Sequence, residues 1–255
     1  REFPMGAINN GIAQHGGLKV FGATFFVFSD YERPAIRLRA IQGLPVVSEY
    51  THDSIFVGED GPTHQPIEHL MACRAIPNLL VIRPADANEA IVACKIAFEL
   101  TDRPALILLT RQGLPVFDRN IYPPAEEIYK GGYIISDCEG APDVVIIATG
   151  SEVWVSLECM ELLKDVKVRV VNLPCWKIFD EQGEKYHHEI LGPKSALRVS
   201  IEAGITMGWE RYTGLNGLNF GINTFGKSAP GEEVASHFGI TPEVVANNIQ
   251  HRLNS

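Results

Sequence analysis

Five side chains that can exchange protons or bind a polar ligand lie within residues 51–66 (THDSIFVGEDGPTHQP): His52, Asp53, Glu59, Asp60 and His64. Imidazole and carboxylate groups serve as acids, bases and hydrogen-bond partners of sugars and phosphates. Two glycines permit close approach of the backbone to a ligand, and two prolines stiffen the path. The segment follows an apolar run at residues 44–50, and open α/β sheets bind ligands at the carboxyl ends of strands. We therefore predict a rigid polar binding loop.

Two other interpretations of this loop follow from its residue types. The spacing of His52, Asp60 and His64 matches no compact metal-binding motif, and the sequence HExxH is absent, so no metal ligands are predicted here. The acids can instead cap the following helix, with the histidines buried beneath it. Spacing alone leaves this structural interpretation open beside that of a binding loop.

Composition and charge limit the classes of function. A chain of 255 residues is long enough for two domains, and an apolar content of 45% with a mean hydropathy of +0.03 is typical of globular proteins. The formal net charge of −9, with scattered lysines and arginines, argues against nucleic-acid or membrane-surface binding. Five cysteines without a CxxC motif indicate reduced thiols, which predicts a cytoplasmic protein. No membrane-spanning run or signal peptide is recognisable.

Apolar runs alternate with helical patterns along the chain, which predicts parallel sheets with right-handed crossovers. In the first half, strands are predicted at residues 18–22, 44–50, 79–82 and 105–109, and helices at residues 2–15, 67–75 and 88–100. In the second half, strands are predicted at residues 144–148, 168–173 and 196–201, with helices at residues 153–163 and after the capping residue Thr241. We predict an α/β protein of two three-layer α/β/α domains with mostly parallel sheets, at residues 1–120 and 131–255, joined by a linker at residues 121–130.

Three aromatic residues, Phe25, Phe28 and Tyr31, recur at every third position after Thr24, which is predicted to cap a helix. Aromatic side chains at helical spacing usually belong to a core. They can also form a flat apolar shelf, on which a stacked ring gains about 0.5–1.5 kcal/mol beyond its burial. The spacing alone leaves both interpretations open.

Arg111 follows the predicted strand at residues 105–109 and is the candidate anion-binding residue. Its planar guanidinium offers donors that match a phosphate group. The alternative is a surface ion pair, which contributes little to stability. Glu202 follows the predicted strand at residues 196–201, and the sequence assigns it no role.

Along the whole chain, these motifs resemble those of the second half of a transketolase. The matching segments keep the family order: REF-MGA, TFFVFSDY, THDSI-VGEDGPTHQP, IRPAD-NE, RQ-LP, ATGSEV, IEAG and FG-SAPG. The resemblance implies a pyrimidine-binding domain, shortened at its start, over residues 1–120 and a carboxyl-terminal domain over residues 131–255. The chain departs from the family pattern at Pro4, Phe56, Thr110, Gly113, Cys175 and Trp176. Of these, Phe56 is expected nearest the substrate channel.

The resemblance also implies roles for individual residues. Glu2 stands where transketolases hydrogen-bond the aminopyrimidine ring of thiamine diphosphate, and an apolar pocket that favours its neutral form is expected. The ring itself is expected against Phe25, Phe28 and Tyr31. Substrate roles are implied for four residues: Asp60 with a sugar hydroxyl, His64 in proton transfer, and His52 and Arg111 with the substrate phosphate.

The activity that the resemblance implies is reversible transfer of a two-carbon ketol unit from a ketose phosphate to an aldose phosphate, in the pentose phosphate pathway. In the family, Mg²⁺ or Ca²⁺ and the diphosphate of the cofactor are held by a GDG motif in a separate amino-terminal domain, and this chain contains no GDG. We therefore expect a fragment that is inactive and binds the cofactor weakly without that domain. The family also implies a homodimer.

Two alternatives are kept beside this activity. A dihydroxyacetone synthase uses the same loop, and Phe56 and Gly113 are the positions at which an altered acceptor preference is expected. The other alternative is a non-catalytic, partner-binding half. Retention of every matched polar residue from Glu2 to Arg111 disfavours it, because an interaction module has no physical need for them.

Overall fold

The computed structural model describes residues 1–255 as two α/β units, each built on its own sheet. The first unit contains α1 (Glu2–His15), β1 (Phe21–Phe25), α2 (Ser29–Gln42), β2 (Val47–Thr51), α3 (His69–Arg74), β3 (Leu80–Ile82), α4 (Ala87–Glu99) and β4 (Ala105–Leu108). Its four strands are parallel, in the spatial order β1-β2-β4-β3. Short 3₁₀ helices at Phe26–Phe28 and Ile55–Asp60 follow β1 and β2, so these two segments meet at the carboxyl edge of the sheet.

The second unit begins after a 3₁₀ helix at Ala125–Lys130, which lies in the predicted linker. It contains β5 (Tyr133–Ser136), β6 (Val144–Ala148), α5 (Glu152–Leu162), β7 (Val168–Asn172), α6 (Trp176–Asp180), α7 (Glu184–Leu191), β8 (Leu197–Ile201), α8 (Glu210–Thr213), β9 (Leu218–Phe220), α9 (Gly231–His237) and α10 (Pro242–Leu253). The strand order is β5-β7-β6-β8-β9, and only the edge strand β5 is antiparallel. None of the ten α-helices has the length and apolar character needed to cross a bilayer.

The predicted α/β class with mostly parallel sheets is confirmed. The first helix has the predicted bounds, and Thr241 caps α10 by accepting a hydrogen bond from the Val244 N–H. The prediction was wrong at β1, because the strand expected at residues 18–22 lies at Phe21–Phe25 and includes Thr24. Parallel pairing with β2 keeps Thr24 extended, so α2 begins only at Ser29.

Alternate residues of the central strands pack on opposite faces of each sheet. In β4, Ala105 and Ile107 belong to one apolar cluster, whereas Leu106 and Leu108 belong to another that includes residues of α2 and α3. The cluster around Ile107 contains residues of α4 and continues into the second unit through β6 residues such as Ile146. The two units therefore share one apolar core.

Buried charges also join the two units. Glu202, directly after β8, accepts two hydrogen bonds from the Arg74 guanidinium at 2.7 Å each, one from the Thr149 hydroxyl at 2.7 Å and one from the Trp209 indole at 3.0 Å. Burial pushes the pKa of this carboxyl up, but Arg74, Arg83 and the hydrogen bonds outweigh burial and hold the pKa below its ordinary value. Glu202, to which the sequence assigned no role, bridges the two sheets.

A second polar junction lies beside the first turn of α4. Glu89 accepts hydrogen bonds from the Tyr133 hydroxyl and, at 2.8 Å, from the Asn172 amide. Burial raises the pKa of the Glu89 carboxyl. Asp86 caps α4 and accepts a further bond from Arg119 at 2.9 Å. This junction ties the start of α4 to β5 and β7.

Replacing Glu202 should destabilise the protein through the charge that it leaves unpaired. We expect Glu202→Gln to lower the free energy of unfolding at pH 7 by about 3–5 kcal/mol, because the Arg74 guanidinium stays buried without an opposite charge. Since the pKa of Glu202 in the folded state lies below 4.5, its contribution should be present above pH 4.5 and be lost as the pH falls further. Urea unfolding at several pH values measures both effects.

The matched control for this prediction is Glu181→Gln, which breaks a more exposed pair with Arg103. It should cost less than about 1 kcal/mol. A loss for Glu202→Gln no larger than that of the control would contradict the importance of the buried pair.

Candidate active site at the carboxyl edge of the first sheet

The predicted binding loop begins directly after β2 with a residue in an unusual backbone conformation. His52 has a φ angle of 61°, in the left-handed region. For a residue other than glycine this conformation costs about 1–3 kcal/mol, so neighbouring groups must hold it. Ser54 then caps the 3₁₀ helix Ile55–Asp60 by accepting a hydrogen bond from the Phe56 N–H at 3.4 Å.

The two loop histidines lie against the aromatic residues that follow β1. The ring of His52 is stacked on that of Phe25, with centroids 3.6 Å apart. The ring of His64 meets Phe28 edge-on at 5.8 Å. Nδ1 of each histidine lies 2.9 Å from the hydroxyl of the preceding threonine. Because β1 and β2 are neighbours in the sheet, their carboxyl ends bring these four rings together.

The aromatic residues Phe25, Phe28 and Tyr31 form a row of rings. The centroids of Phe25 and Phe28 are 5.9 Å apart with planes within 5°, and those of Phe28 and Tyr31 are 6.2 Å apart. Phe26 is the ring that enters the core, whereas Tyr31 remains 66% exposed. Since His52 covers Phe25, the accessible part of the row is formed by Phe28 and Tyr31. This geometry favours the shelf over the core interpretation.

The electrostatic surroundings of His52 keep its ring neutral. Burial lowers the pKa of His52, and the nearby Arg111 guanidinium lowers it further, while Asp60 and Asp53 oppose both effects. A neutral imidazole can donate one hydrogen bond and accept another. Because β2 and β4 are parallel neighbours, His52 and Arg111 both follow strand ends at the same edge of the sheet.

Arg111 lies after β4 at the same edge of the sheet. Its side chain is exposed and takes part in none of the ion pairs in the structure, so the surface ion pair considered from sequence is not formed. The Thr110 hydroxyl donates to the Gln112 carbonyl at 2.9 Å, which shapes the turn around the arginine. A guanidinium without a carboxylate partner remains available to an anion.

Glu2 lies apart from these groups, in the first turn of α1. Its side chain is 26% exposed, so the apolar pocket expected around it is not formed within this chain. A hydrogen bond from its own backbone N–H is the main cause that lowers the pKa of Glu2, which favours the ionised rather than the expected neutral form. Free N–H groups in a first helical turn attract a carboxylate in this way. No hydrogen bond or ion pair joins Glu2 to the other predicted site residues.

One cluster outside the loop has the composition of a cation site: Asp30, Glu68 and His69. Nε2 of His69 lies 3.1 Å from an Asp30 oxygen, and Nδ1 lies 3.8 Å from a Glu68 oxygen. The two carboxylates thus face different nitrogens of one ring. Coordination of an ion would require both to converge with a single nitrogen.

Gln65 attaches the loop to the second unit. Its side-chain nitrogen donates to the carbonyls of Gly58 and Lys227, both at 2.8 Å, and its oxygen accepts from the Lys227 N–H at 3.0 Å. A Cβ atom at Gly226 would lie 1.7 Å from the Gln65 oxygen, so only glycine permits this approach. The FG-SAPG segment therefore supports the loop from the second unit.

Phe56 also faces the second unit. Its ring packs against the shared apolar core, and a Cβ atom at Gly231 would lie 2.8 Å from its Cδ1 atom. Beside it, the Ser228 hydroxyl donates to the Glu59 carbonyl. The ring is thus directed to the junction between the units.

A buried ionic group that was not predicted from the sequence lies beneath the loop. Arg83 donates to Asp53 from Nε at 2.6 Å and to Glu152 from Nη1, and both Arg83 and Glu152 are fully buried. Thr149 adds two acceptor oxygens, at 2.8 and 3.2 Å. Arg83 and Thr149 directly follow the buried strands β3 and β6. A polar residue immediately after a buried strand was the signal that could have identified them.

Comparisons with known proteins agree with this geometry. The family model "Transketolase, pyrimidine binding domain" matches residues 1–116, and "Transketolase-like TK C-terminal domain" matches residues 131–241. The chain is 52% identical to a transketolase from Aquifex aeolicus over 251 residues, which is 98% of this chain and 36% of the relative. It is 51% identical to one from Geobacillus stearothermophilus over 248 residues, which is 96% of this chain and 37% of the relative. The chain thus spans little more than a third of the length of these relatives.

The solved structures that this chain resembles are also transketolases. A crystal structure of a transketolase mutant from Pichia stipitis matches with a TM-score of 0.93 and 42% identity, covering 100% of this chain and 37% of that one. A structure described as "Split gene transketolase, inactive beta4 tetramer" matches with a TM-score of 0.80 and 25% identity, covering 100% of this chain and 82% of that one. The fold and the site define a pyrimidine-binding domain followed by a carboxyl-terminal domain. The chain belongs to the transketolase family, as its motifs predicted.

Gly226 provides a test of how the loop is held. We expect Gly226→Ala to displace the Gln65 amide, to destabilise the protein by about 1–3 kcal/mol and to speed amide hydrogen exchange in residues 55–61. Gly113→Ala is the matched control, since a Cβ atom there meets nothing within 4 Å. Exchange in the loop that stays slow in Gly226→Ala would contradict the role of this contact.

Proposed function

We propose that the chain provides the substrate side of a transketolase site, which transfers a two-carbon ketol unit reversibly from a ketose phosphate to an aldose phosphate. The observation that carries the proposal is that the loop after β2, with His52 and Asp60, and Arg111 after β4 leave the same edge of the sheet, beside the aromatic row that follows β1. A neutral imidazole, a carboxylate and an unpaired guanidinium together suit the hydroxyl and phosphate groups of a sugar phosphate. The transketolase names of the relatives support the same activity.

Each polar residue of the site has a proposed role. Arg111 and His52 bind the substrate phosphate, the first as a charged fork and the second as a neutral hydrogen-bond donor. Asp60, exposed at the end of its 3₁₀ helix, accepts a hydrogen bond from a sugar hydroxyl. His64 moves protons at the two-carbon unit, for which its place at the edge of the Phe28 ring is suited.

Thiamine diphosphate is the proposed cofactor. The adjacent Phe28 and Tyr31 rings offer a flat apolar surface that fits a flat aromatic ring, and with Phe25 they are proposed to hold the pyrimidine. Glu2 would form a hydrogen bond with that ring. When bound, the cofactor supplies the carbanion chemistry of the transfer.

We propose that a separate amino-terminal domain binds the diphosphate with Mg²⁺ or Ca²⁺, and that the chain is inactive without it. The chain covers 82% of the structure described as an inactive tetramer of a split-gene transketolase, which supports this dependence. We further propose that the chain works in a homodimer. Exposed apolar side chains on α1, β1 and α2 provide a surface for association: Phe3, Ile8, Phe21 and Leu38.

The remaining proposals concern organisation and location. We propose domain boundaries at residues 1–120 and 131–255 with a linker at residues 121–130, which the ranges of the two family models support. A cytoplasmic location is supported by the five cysteines, all of which are free. A role in the pentose phosphate pathway is proposed together with the ketol-transfer activity.

A coupled ketol-transfer assay tests the proposed function. The chain is combined with a diphosphate-binding transketolase domain, thiamine diphosphate and Mg²⁺, and offered xylulose phosphate with either ribose phosphate or formaldehyde. Turnover with ribose phosphate is expected, and none with the chain alone. Preference for formaldehyde would instead indicate a dihydroxyacetone synthase. No turnover with either acceptor in a folded, cofactor-bearing assembly would refute the proposal.

Arg111 offers a test of the phosphate site. We expect Arg111→Ala to cost about 1.5–3 kcal/mol in kcat/KM with phosphorylated substrates and much less with unphosphorylated ones, because a charge-assisted bond is lost only with the former. Arg211→Ala, which removes an exposed arginine paired with Asp180 in the second unit, is the control and should change neither value. Equal losses with both substrate types would remove Arg111 from the phosphate site.

A further inference from the structure

We infer that Asp53 and Arg83 are positioning residues for His52, and that the second unit, through Thr149 and Glu152, fixes the geometry of the binding loop. The functional meaning of this inference rests on the proposed function, in which His52 binds the substrate phosphate. The structural part concerns only how His52 is held in place. It assigns a role to buried charges that touch neither the aromatic row nor the exposed site residues.

The backbone of His52 is held in an unfavourable conformation. Its left-handed conformation (φ 61°) occurs in only one other non-glycine residue, Asn78. Such a conformation persists only where the surroundings determine it. On one side, the chain is fixed by the pairing of Thr51 in β2 with Phe25 in β1. On the other side stands Asp53, whose side chain is 1% exposed.

The side chain of Asp53 is attached to Arg83. Its Oδ2 atom accepts a hydrogen bond from Nε of Arg83 at 2.6 Å, while its Oδ1 atom is buried without a partner. A buried carboxylate with a single charged donor cannot move away from that donor without leaving its charge buried and unpaired. The position of Asp53, and with it the turn at His52, therefore follows the position of Arg83.

Arg83 is held in position by residues of the second unit. The Arg83 N–H donates to the Pro174 carbonyl at 2.9 Å, and its own carbonyl accepts from the Gly150 N–H at 3.2 Å. A Cβ atom at Gly150 would lie 2.7 Å from the centre of the guanidinium. Nη1 donates to Thr149 and to Glu152, so the backbone and the side chain of Arg83 are both fixed from across the junction.

Glu152 is fixed in turn by groups of its own unit. Its Oε1 atom accepts from the Ser151 hydroxyl at 2.7 Å, and its Oε2 atom accepts from the Ala203 N–H at 3.0 Å. A continuous series of buried polar contacts thus runs from the strand ends of the second sheet to the residue beside His52. Each member has little freedom to move, which is the requirement for positioning a binding group.

Arg83→Lys is the variant that tests this series. A lysine keeps the positive charge, but its single ammonium cannot occupy the positions of both Nε and Nη1, so Asp53 and Glu152 cannot both be held. Tyr133→Phe is the matched control. It removes a buried hydroxyl from the other junction, where Tyr133 donates to Glu89, and it leaves the series at Asp53 intact.

The first readout is the pKa of His52, measured by NMR on the chain with isotope-labelled histidine rings. His52 is one of eight histidines in the sequence, so its signal has to be assigned first. Burial and Arg111 lower the pKa of His52 against the opposing effects of Asp60 and Asp53. If Arg83→Lys releases the loop, the ring should gain water and its pKa should rise towards the ordinary value of about 6.5. The Tyr133→Phe protein should keep the low value.

The second readout is substrate preference in the assembled, cofactor-bearing enzyme. Arg83→Lys should lower kcat/KM for a ketose phosphate about tenfold or more, mainly through KM, and leave an unphosphorylated ketose nearly unaffected. In a His52→Ala background, Arg83→Lys should add no further loss of phosphate preference, since the two residues act through one contact. If Arg83 only stabilised the fold, Arg83→Lys would lower the fraction of active enzyme, and kcat/KM would fall equally for phosphorylated and unphosphorylated substrates.

The outcomes separate this inference from the proposed function. A shifted His52 titration without a change of phosphate preference supports the positioning role and places the error in the proposed phosphate contact. An unchanged His52 titration in folded Arg83→Lys overturns the inference. Should that variant not fold, Glu152→Gln carries the same test, since it weakens the contact that holds Arg83 and leaves the charges that act on His52 in place. An unchanged titration there would also overturn it.

Discussion

Charges at the junction of the two units are buried because each unit neutralises those of the other. Arg74 and Arg83 enter the junction from the first unit, and Glu152 and Glu202 meet them from the second. Leaving one member of such a pair without its partner costs about 3–5 kcal/mol. The pairing therefore fixes how the two sheets face one another. It also fixes the binding loop, since the loop starts next to Asp53, which completes the same group.

The edge of the first sheet carries two populations of polar side chains. Those directed at the second unit, such as Asp53 and Arg83, are buried and paired. Those directed away, such as Asp60 and Arg111, are exposed, and neither forms an ion pair. Buried pairs give rigidity, whereas exposed groups keep their capacity to bind a ligand. The site thus consists of exposed groups without an ion pair above buried, ion-paired groups, with the stacked His52 and Phe25 rings between them.

The sequence predicted what local patterns determine. Buried parallel strands are continuous apolar runs, and a helix cap such as Thr241 is specified by its own side chain. Features that depend on distant partners were not predicted. Thr24 is extended because β2 pairs with it, and Glu202 acquires its role from Arg74, 128 positions away in the sequence. The surroundings of Glu2 were likewise expected from resemblance and are not supplied by the residues packed around α1.

The apolar core shared by the two sheets has a consequence for how the chain matures. Translation completes the first sheet before β6 and α5 exist, so residues such as Ile82 and Ile107 face water or the ribosome surface during that interval. Apolar surface exposed in this way makes a nascent chain prone to aggregation and to capture by chaperones. The second half of the chain therefore covers apolar residues that the first half leaves exposed during its synthesis.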